Sequence, residues 1–215
     1  MRGELTLDDL VTRLLPSLPV LDAREQTVSI KILQLLASGI PVSRQQLADS
    51  LNMPVEAVTD MLGRWWGVYY DEQGRVTGYW GLTLNPTQHR IQLNGQTLYT
   101  WCAWDTLFLP RLLHRTVQIE SRCGQTNNGV QLTLGPEGPE NIQPTGAVIS
   151  FLVPDSHDVK DNIVAHFCHF VYFFESMSAG LEWTAQRPDT FLLSINDAYT
   201  LGKTINASLY PDIQY

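Results

Sequence analysis

The sequence predicts an α+β fold: a winged-helix-like helical part over residues 1–85, followed by an antiparallel-sheet core over residues 86–215. Two observations carry this. Apolar residues recur at helical spacing through the first third and then give way to two β-rich segments, the outline of three helices and a wing. Beyond residue 86, β-type segments alternate with Gly-, Pro- and Asn-rich turns, and helical stretches interrupt them without a βα repeat. That mixture favours antiparallel pairing over a doubly wound sheet.

The first helix is expected in TVSIKILQLLASG, where Val28, Ile32, Leu35 and Leu36 share a face and Gly39 offers a C-cap. PVSRQQLADSLNMPVEAVTDML reads as two short helices. Ser43 is an N-cap with Gln46 three residues on, Leu47 and Leu51 point inward, and Pro54 restarts the chain. VYYDEQGRVTGYWGLTL supplies two β segments around a turn at residues 71–74. After NPTQ, HRIQLNGQTLYTW alternates around Asn94-Gly95, a hairpin dipeptide. CAWDTLFLPRLLH is apolar at helical spacing. RTVQIESRC, GVQLTLGPEG and GAVISFLVP read as strands, and SHDVKDNIVAHF as a helix running into a β-rich CHFVYFF. TFLLSINDAYTLGKTINASLY closes the chain as a strand and a final helix.

Composition narrows the function classes. With 44% hydrophobic and 17% charged residues over 215 positions, the chain is long and apolar enough to bury a core. Its net charge of −8 works against phosphate backbones. The winged-helix-like part is itself acidic, with seven Lys/Arg against ten Asp/Glu in residues 1–85. Its expected second helix, PVEAVTDMLGRWWG, sets Glu56 and Asp60 against the lone Arg64, the wrong polarity for reading DNA. The part therefore reads as a structural module. The longest apolar run, IVAHFCHFVYFF, is about half the length of a spanning helix and holds two histidines. MRGELTLDDL lacks the uninterrupted apolar stretch of a secretory leader. Three cysteines, Cys102, Cys123 and Cys168, then point to reduced thiols and a cytoplasmic location.

Cys102 and Asp105 are the first candidates for chemistry. In a helix they would share a face at i and i+3. On packing grounds Cys102 is a small buried hydrophobe and Asp105 a cap or a paired carboxylate. A carboxylate among Trp101, Trp104, Leu107 and Phe108 is costly to bury unless something uses it. Cys168 and His166 alternate about Phe167, which raises a Cys/His metal site with His157 or His169. The spacing fits no zinc pattern. Cys123 has no acid or base close in sequence. No G-x-S-x-G elbow is present, and GPEGPE carries prolines and glutamates where a phosphate loop needs amide donors.

The segment QTLYTWCAWDTL, residues 96–107, resembles the hallmark of the organomercurial (alkylmercury) lyases. GIPVSRQQLADSLNMPVEAV, YYDEQGRVTGYWGLTL, LPRLLHRTVQIESRC and FCHFVYFFES follow in the family's order, so the likeness spans roughly residues 25–205. It implies a winged-helix-like part not used for DNA and an antiparallel α+β catalytic core. It implies protonolysis of a carbon–mercury bond to a hydrocarbon and Hg(II), as in mercury detoxification. The family's catalytic set falls on Cys102, Cys168 and Asp105, which also hold the substrate mercury, and its structural cysteine falls on Cys123. Some members carry a second cysteine after the position of Cys168; here it is His169. No resident cofactor is implied. Product release is expected through exogenous small thiols or handover to mercuric reductase, from a monomer or homodimer with no nucleic-acid or membrane partner. Two other classes remain open: a winged-helix regulator sensing metal or thiol stress, and a non-catalytic metal-binding relative.

The chemistry accounts for this kit. Mercury is soft and prefers thiolates. Two thiolates push electron density onto the metal and make the attached carbon basic enough for a positioned acid to protonate. From ordinary acidities, moving a thiol proton to a carboxylate is uphill by about 4.6 pH units, roughly 6 kcal/mol. Burial raises the carboxyl and metal coordination lowers the thiol, so an apolar setting closes that gap. Asp105 is thus expected to take a thiol proton and pass it to carbon, with Cys102, the nearer cysteine, attacking first.

Overall fold

A computed structural model describes residues 5–154 and 156–213, so the first four residues of the segment read above for a leader lie outside the described residues. Three helices of the expected helix-turn-helix part form as read. Helix α2 (Ala23–Leu36) starts at Asp22, whose side chain and that of Glu25 cap each other reciprocally. It buries Val28, Ile32 and Leu36 completely, and Gly39 ends the segment at φ +78°. Helix α3 (Arg44–Leu51) begins where Ser43 accepts the Gln46 N–H at 3.0 Å, and α4 (Val55–Arg64) follows Pro54. The chain adds a helix ahead of these, α1 (Leu7–Leu14), nucleated by a Thr6–Asp9 capping box; Leu7, Leu10, Val11 and Leu14 share one face, and Leu10 and Leu14 are buried.

Strands β1 (Val68–Tyr70) and β2 (Val76–Tyr79) form the wing. Asp71 shapes its turn by accepting the N–H groups of Gln73 and Arg75 at 3.0 and 2.8 Å. The wing continues into the core. Strand β3 (Leu82–Thr83) pairs with β2 on one side and with β5 (Gln96–Thr100) on the other, so one sheet runs across residue 85. Buried hydroxyl contacts reinforce the join: Tyr79 donates to Ser29 at 2.9 Å, and Ser29 meets Tyr210 at 2.9 Å.

The remaining elements are β4 (Arg90–Leu93), α5 (Asp105–Leu112), β6 (Val117–Arg122), β7 (Gly129–Gly135), β8 (Gly138–Gln143), β9 (Val148–Leu152), α6 (Ser156–His166), β10 (Phe173–Phe174), α7 (Met177–Thr184), β11 (Thr190–Ser194) and α8 (Ile195–Leu209). Among the described residues, eight strands form one antiparallel sheet in the order β1-β2-β3-β5-β4-β6-β7-β8, and β10-β9-β11 form a second. Asn94 and Gly95 both take positive φ, as a two-residue hairpin demands.

GPEGPE carries the turn of a hairpin: β8 starts at Gly138 and tolerates Pro139 because it is the sheet's edge. One expectation needs correction. CHFVYFF is not a strand from its start. Cys168–Phe170 form a 3₁₀ turn and only Phe173–Phe174 pair in β10. There the Phe170 carbonyl accepts the Ser150 hydroxyl at 2.7 Å and Val171 N–H donates to the Cys168 carbonyl at 3.1 Å, which folds the backbone back.

Phe151, fully buried on β9, contacts the rings of Trp104, Phe167 and Phe191 at centroid distances of 5.1, 5.3 and 5.9 Å. Phe151→Ala is expected to lower stability by about 3–5 kcal/mol, read as a shift of the urea-unfolding midpoint. Among the described residues no helix is long and apolar enough to cross a membrane.

Candidate active site

The site is built where β5 ends. Thr100 pairs with Leu82 in the sheet, so the chain must reverse within residues 101–104 before a helix can begin. This corrects the expected helical register: Cys102 precedes α5, and Asp105 is the helix's first residue. The Asp105 carboxylate reaches back and accepts the Cys102 backbone N–H at 2.8 Å. The bond spans the turn ahead of the helix, and it brings thiol and carboxyl together without a shared helical face. Helix α5 is anchored from behind. The Trp104 indole N–H donates to the Ala198 carbonyl at 2.9 Å, and the Asn206 amide donates to the Phe108 carbonyl at 3.2 Å, both on α8.

Cys168 arrives on the 3₁₀ turn after α6. Ala103 N–H donates to the Val171 carbonyl at 3.2 Å, a backbone clamp between the two cysteine-bearing segments. Ser150, fully buried, fixes the second segment by donating to Phe170 and accepting the Tyr172 N–H at 3.0 Å. One ligand atom each from Cys102, Asp105 and Cys168 lies within 4.8 Å of the others, and all three residues are buried.

Burial dominates the electrostatics. It pushes the Asp105 carboxyl up from its ordinary 3.8 to about 7, against the hydrogen bonds it accepts from the Cys102 backbone and thiol and from the Trp101 backbone. Burial likewise raises both thiols. Cys102 is raised further by its contact with the Cys168 side chain and by the nearby carboxylate, whereas that same contact opposes the rise at Cys168. The resting site is therefore two neutral thiols beside a carboxyl poised near neutrality.

Because the folded-state value for Asp105 lies above the unfolded one, the stability it contributes is full below about pH 4 and is lost as pH rises through about 7. Unfolding midpoints of the protein relative to its Asp105→Asn variant are expected to fall across that window and level off above it. The raised thiols act only at higher pH.

An apolar cavity of about 40 Å³ opens beside Asp105, walled in part by Trp80, Trp101, Trp104, Phe108 and Phe167. Tyr99 is not among its lining residues. His157, His166 and His169 are exposed, and among the described residues the one Cys/His/Asp/Glu group of metal-binding geometry is Cys102–Asp105–Cys168. Cys123 lies apart, in a turn where its N–H donates to the Asn128 carbonyl at 2.7 Å. Burial raises its thiol, but hydrogen bonds from the Thr126 hydroxyl and from the backbone N–H groups of Glu175, Thr126 and Gln125 outweigh this and leave it below the usual range. Two residues carried no signal in sequence. His89 is buried, meets the Ser121 hydroxyl at 2.8 Å, and is held neutral by burial, its value down to about 3. Gly81 packs directly on the Asp105 carboxylate.

Two thiols and a carboxyl buried within 4.8 Å of one another have the donor set that suits a soft metal, with a group able to carry a proton beside it. The family described as alkylmercury lyase matches residues 82–206, and the helix-turn-helix domain of alkylmercury lyase matches residues 9–80. The alkylmercury lyase of Staphylococcus epidermidis is 42% identical over 176 residues, covering 82% of this chain and 80% of that protein. That of Pseudomonas putida is 37% identical over 186 residues, covering 86% of each. The crystal structure of the mercury-bound form of MerB2 shares the fold, with a TM-score of 0.75 at 23% identity over 94% of this chain and 98% of that one. The chain belongs to the alkylmercury lyase family.

Proposed function

We propose that Cys102 and Cys168 hold the mercury of an organomercurial substrate while Asp105 carries the proton that breaks its carbon–mercury bond. As a family member the chain is an organomercurial lyase of mercury resistance, yielding a hydrocarbon and Hg(II). The observation that supports this assignment of roles is the single buried cluster of two thiols and a carboxyl raised to about 7.

Each proton has a place. The mercurial arrives bound to an exchangeable ligand. Cys102 attacks mercury and its proton passes to Asp105, to which it is already hydrogen-bonded. Cys168 displaces the exchangeable ligand, which leaves with the Cys168 proton. Two thiolates now donate to mercury, and Asp105 returns its proton to the attached carbon. The carbon–mercury pair becomes the new C–H bond, and Hg(II) stays on both sulfurs. A carboxyl near 7 takes up and gives back a proton at neutral pH with little loss in either direction. The aromatic cavity receives the organic group and excludes the water that would compete as proton source.

Asp105 also distinguishes a lyase from a passive metal binder, which needs no proton carrier. The regulator reading lacks a basic surface: on α4, Arg64 is engaged by Glu25 at 2.9 Å beside Glu56 and Asp60. The machinery needs no resident cofactor. Hg(II) is drawn off by small cellular thiols or by mercuric reductase, in a cytoplasm that keeps the three unpaired cysteines reduced. Incubation with an organomercurial and excess small thiol tests the reading through headspace hydrocarbon and soluble Hg(II). One hydrocarbon per mercury is expected; none from folded protein overturns it.

A further inference from the structure

The Asp105 carboxylate is held from two sides. On one, Oδ2 accepts the Cys102 N–H at 2.8 Å. On the other stands Trp80–Gly81, the two-residue turn between β2 and β3, in which Tyr79 pairs with Leu82. Both turn residues take positive φ, +48° at Trp80 and +92° at Gly81. A tryptophan in that region is strained, and such strain persists only where surrounding structure over-determines it. Here the surroundings are those of the site. Trp80 walls the organic-group cavity, and the Gly81 carbonyl accepts the Trp101 N–H at 2.9 Å, which ties the turn to the residue before Cys102. A Cβ on Gly81 would lie 2.6 Å from the Asp105 carboxyl carbon, 2.7 Å from Oδ1 and 2.9 Å from the Asp105 Cβ. No L side chain fits there.

We propose that Gly81 is a positioning residue for Asp105: its bare Cα closes the space behind the carboxylate and keeps it aimed at Cys102 and Cys168. The choice of residue has a second consequence. A proton carrier must be held without being over-stabilised as an anion, and every N–H or O–H aimed at a carboxylate favours the charged form. Gly81 offers Oδ1 only a C–H, a weak donor. It seats the carboxylate sterically and leaves burial in control of its acidity.

The proposal rests on Asp105 as proton carrier, and its test separates the two. Gly81→Ala and Gly81→Asn are measured alone and with Asp105→Asn, following hydrocarbon release, Hg(II) uptake and the pH profile. Asparagine tolerates positive φ, so Gly81→Asn keeps the turn while adding the intruding Cβ. Each single variant is expected to lose about 100-fold in hydrocarbon release, the cost of misplacing a reacting group by about an ångström. Each should still bind one Hg(II) on its two thiols, with the neutral limb of its pH profile displaced. With Asp105→Asn already present, either change should alter the residual release by less than about twofold. Single variants within about twofold of the parent, an unmoved pH profile, or equal losses in both backgrounds overturn the proposal. Should both Gly81 variants fail to fold, pairing Gly81→Ala with Asp105→Ala is expected to restore a cooperative thermal unfolding transition that Gly81→Ala alone lacks; no restored transition overturns the proposal. Retained turnover in Asp105→Asn alone defeats the proton-carrier reading instead.

Discussion

Asp105→Asn is expected to cut steady-state hydrocarbon release by about 10³-fold or more, the scale of a positioned general acid, while leaving mercury binding intact. The substitution is nearly isosteric and keeps a carbonyl oxygen to accept the Cys102 N–H, so the turn at residues 101–104 should survive. What it removes is the ability to take a proton and return it. The loss should therefore fall on kcat, with one equivalent of mercurial still captured. In the parent enzyme the rate should change slope near pH 7, where the carboxyl titrates, and that feature should vanish in the variant. Turnover that stays within about tenfold of the parent would remove Asp105 from the mechanism.

Cys168→Ser is expected to abolish turnover to a similar degree, by a different route. Oxygen is a hard, poor ligand for mercury, so one soft donor is lost from the metal. Cys102 remains beside Asp105 and should still capture one equivalent of mercurial, but with a single thiolate the carbon stays too weakly basic to protonate. A stable one-to-one adduct should accumulate, countable by mass spectrometry. Cys102→Ser differs. It removes the thiol that hydrogen-bonds Asp105, so capture itself should slow along with turnover. Similar capture rates in the two variants would contradict the order of attack.

What the sequence displays depends on range. The capping signal at Ser43, the hairpin dipeptide Asn94-Gly95 and the apolar stripe of α2 are local and are legible. Helices α1 and α7 are not among the expected elements. The first has both a capping box and an apolar face of Leu7, Leu10, Val11 and Leu14 but spans only eight residues, and the second exposes Met177 and Leu181 while burying Gly180 and Trp183. The pairing of Cys102 with Asp105 was visible as spacing, but its geometry was not, because sheet pairing at Thr100 sets the turn. Cys168 reaches the site through the backbone clamp from Ala103 to Val171 and the buried Ser150, contacts between segments remote in sequence. Only the family resemblance pointed there. Gly81 looked like any turn glycine, since nothing local shows a carboxylate 24 positions later packing on its Cα.

The central claim is that both sulfurs hold mercury while Asp105 protonates the carbon. Mercury-edge X-ray absorption on Asp105→Asn loaded with one equivalent of an organomercurial tests it directly. The expected spectrum shows mercury bound to two sulfurs and still to carbon, the state just before proton delivery. A single sulfur at mercury, or a broken carbon–mercury bond with hydrocarbon released, would contradict the account.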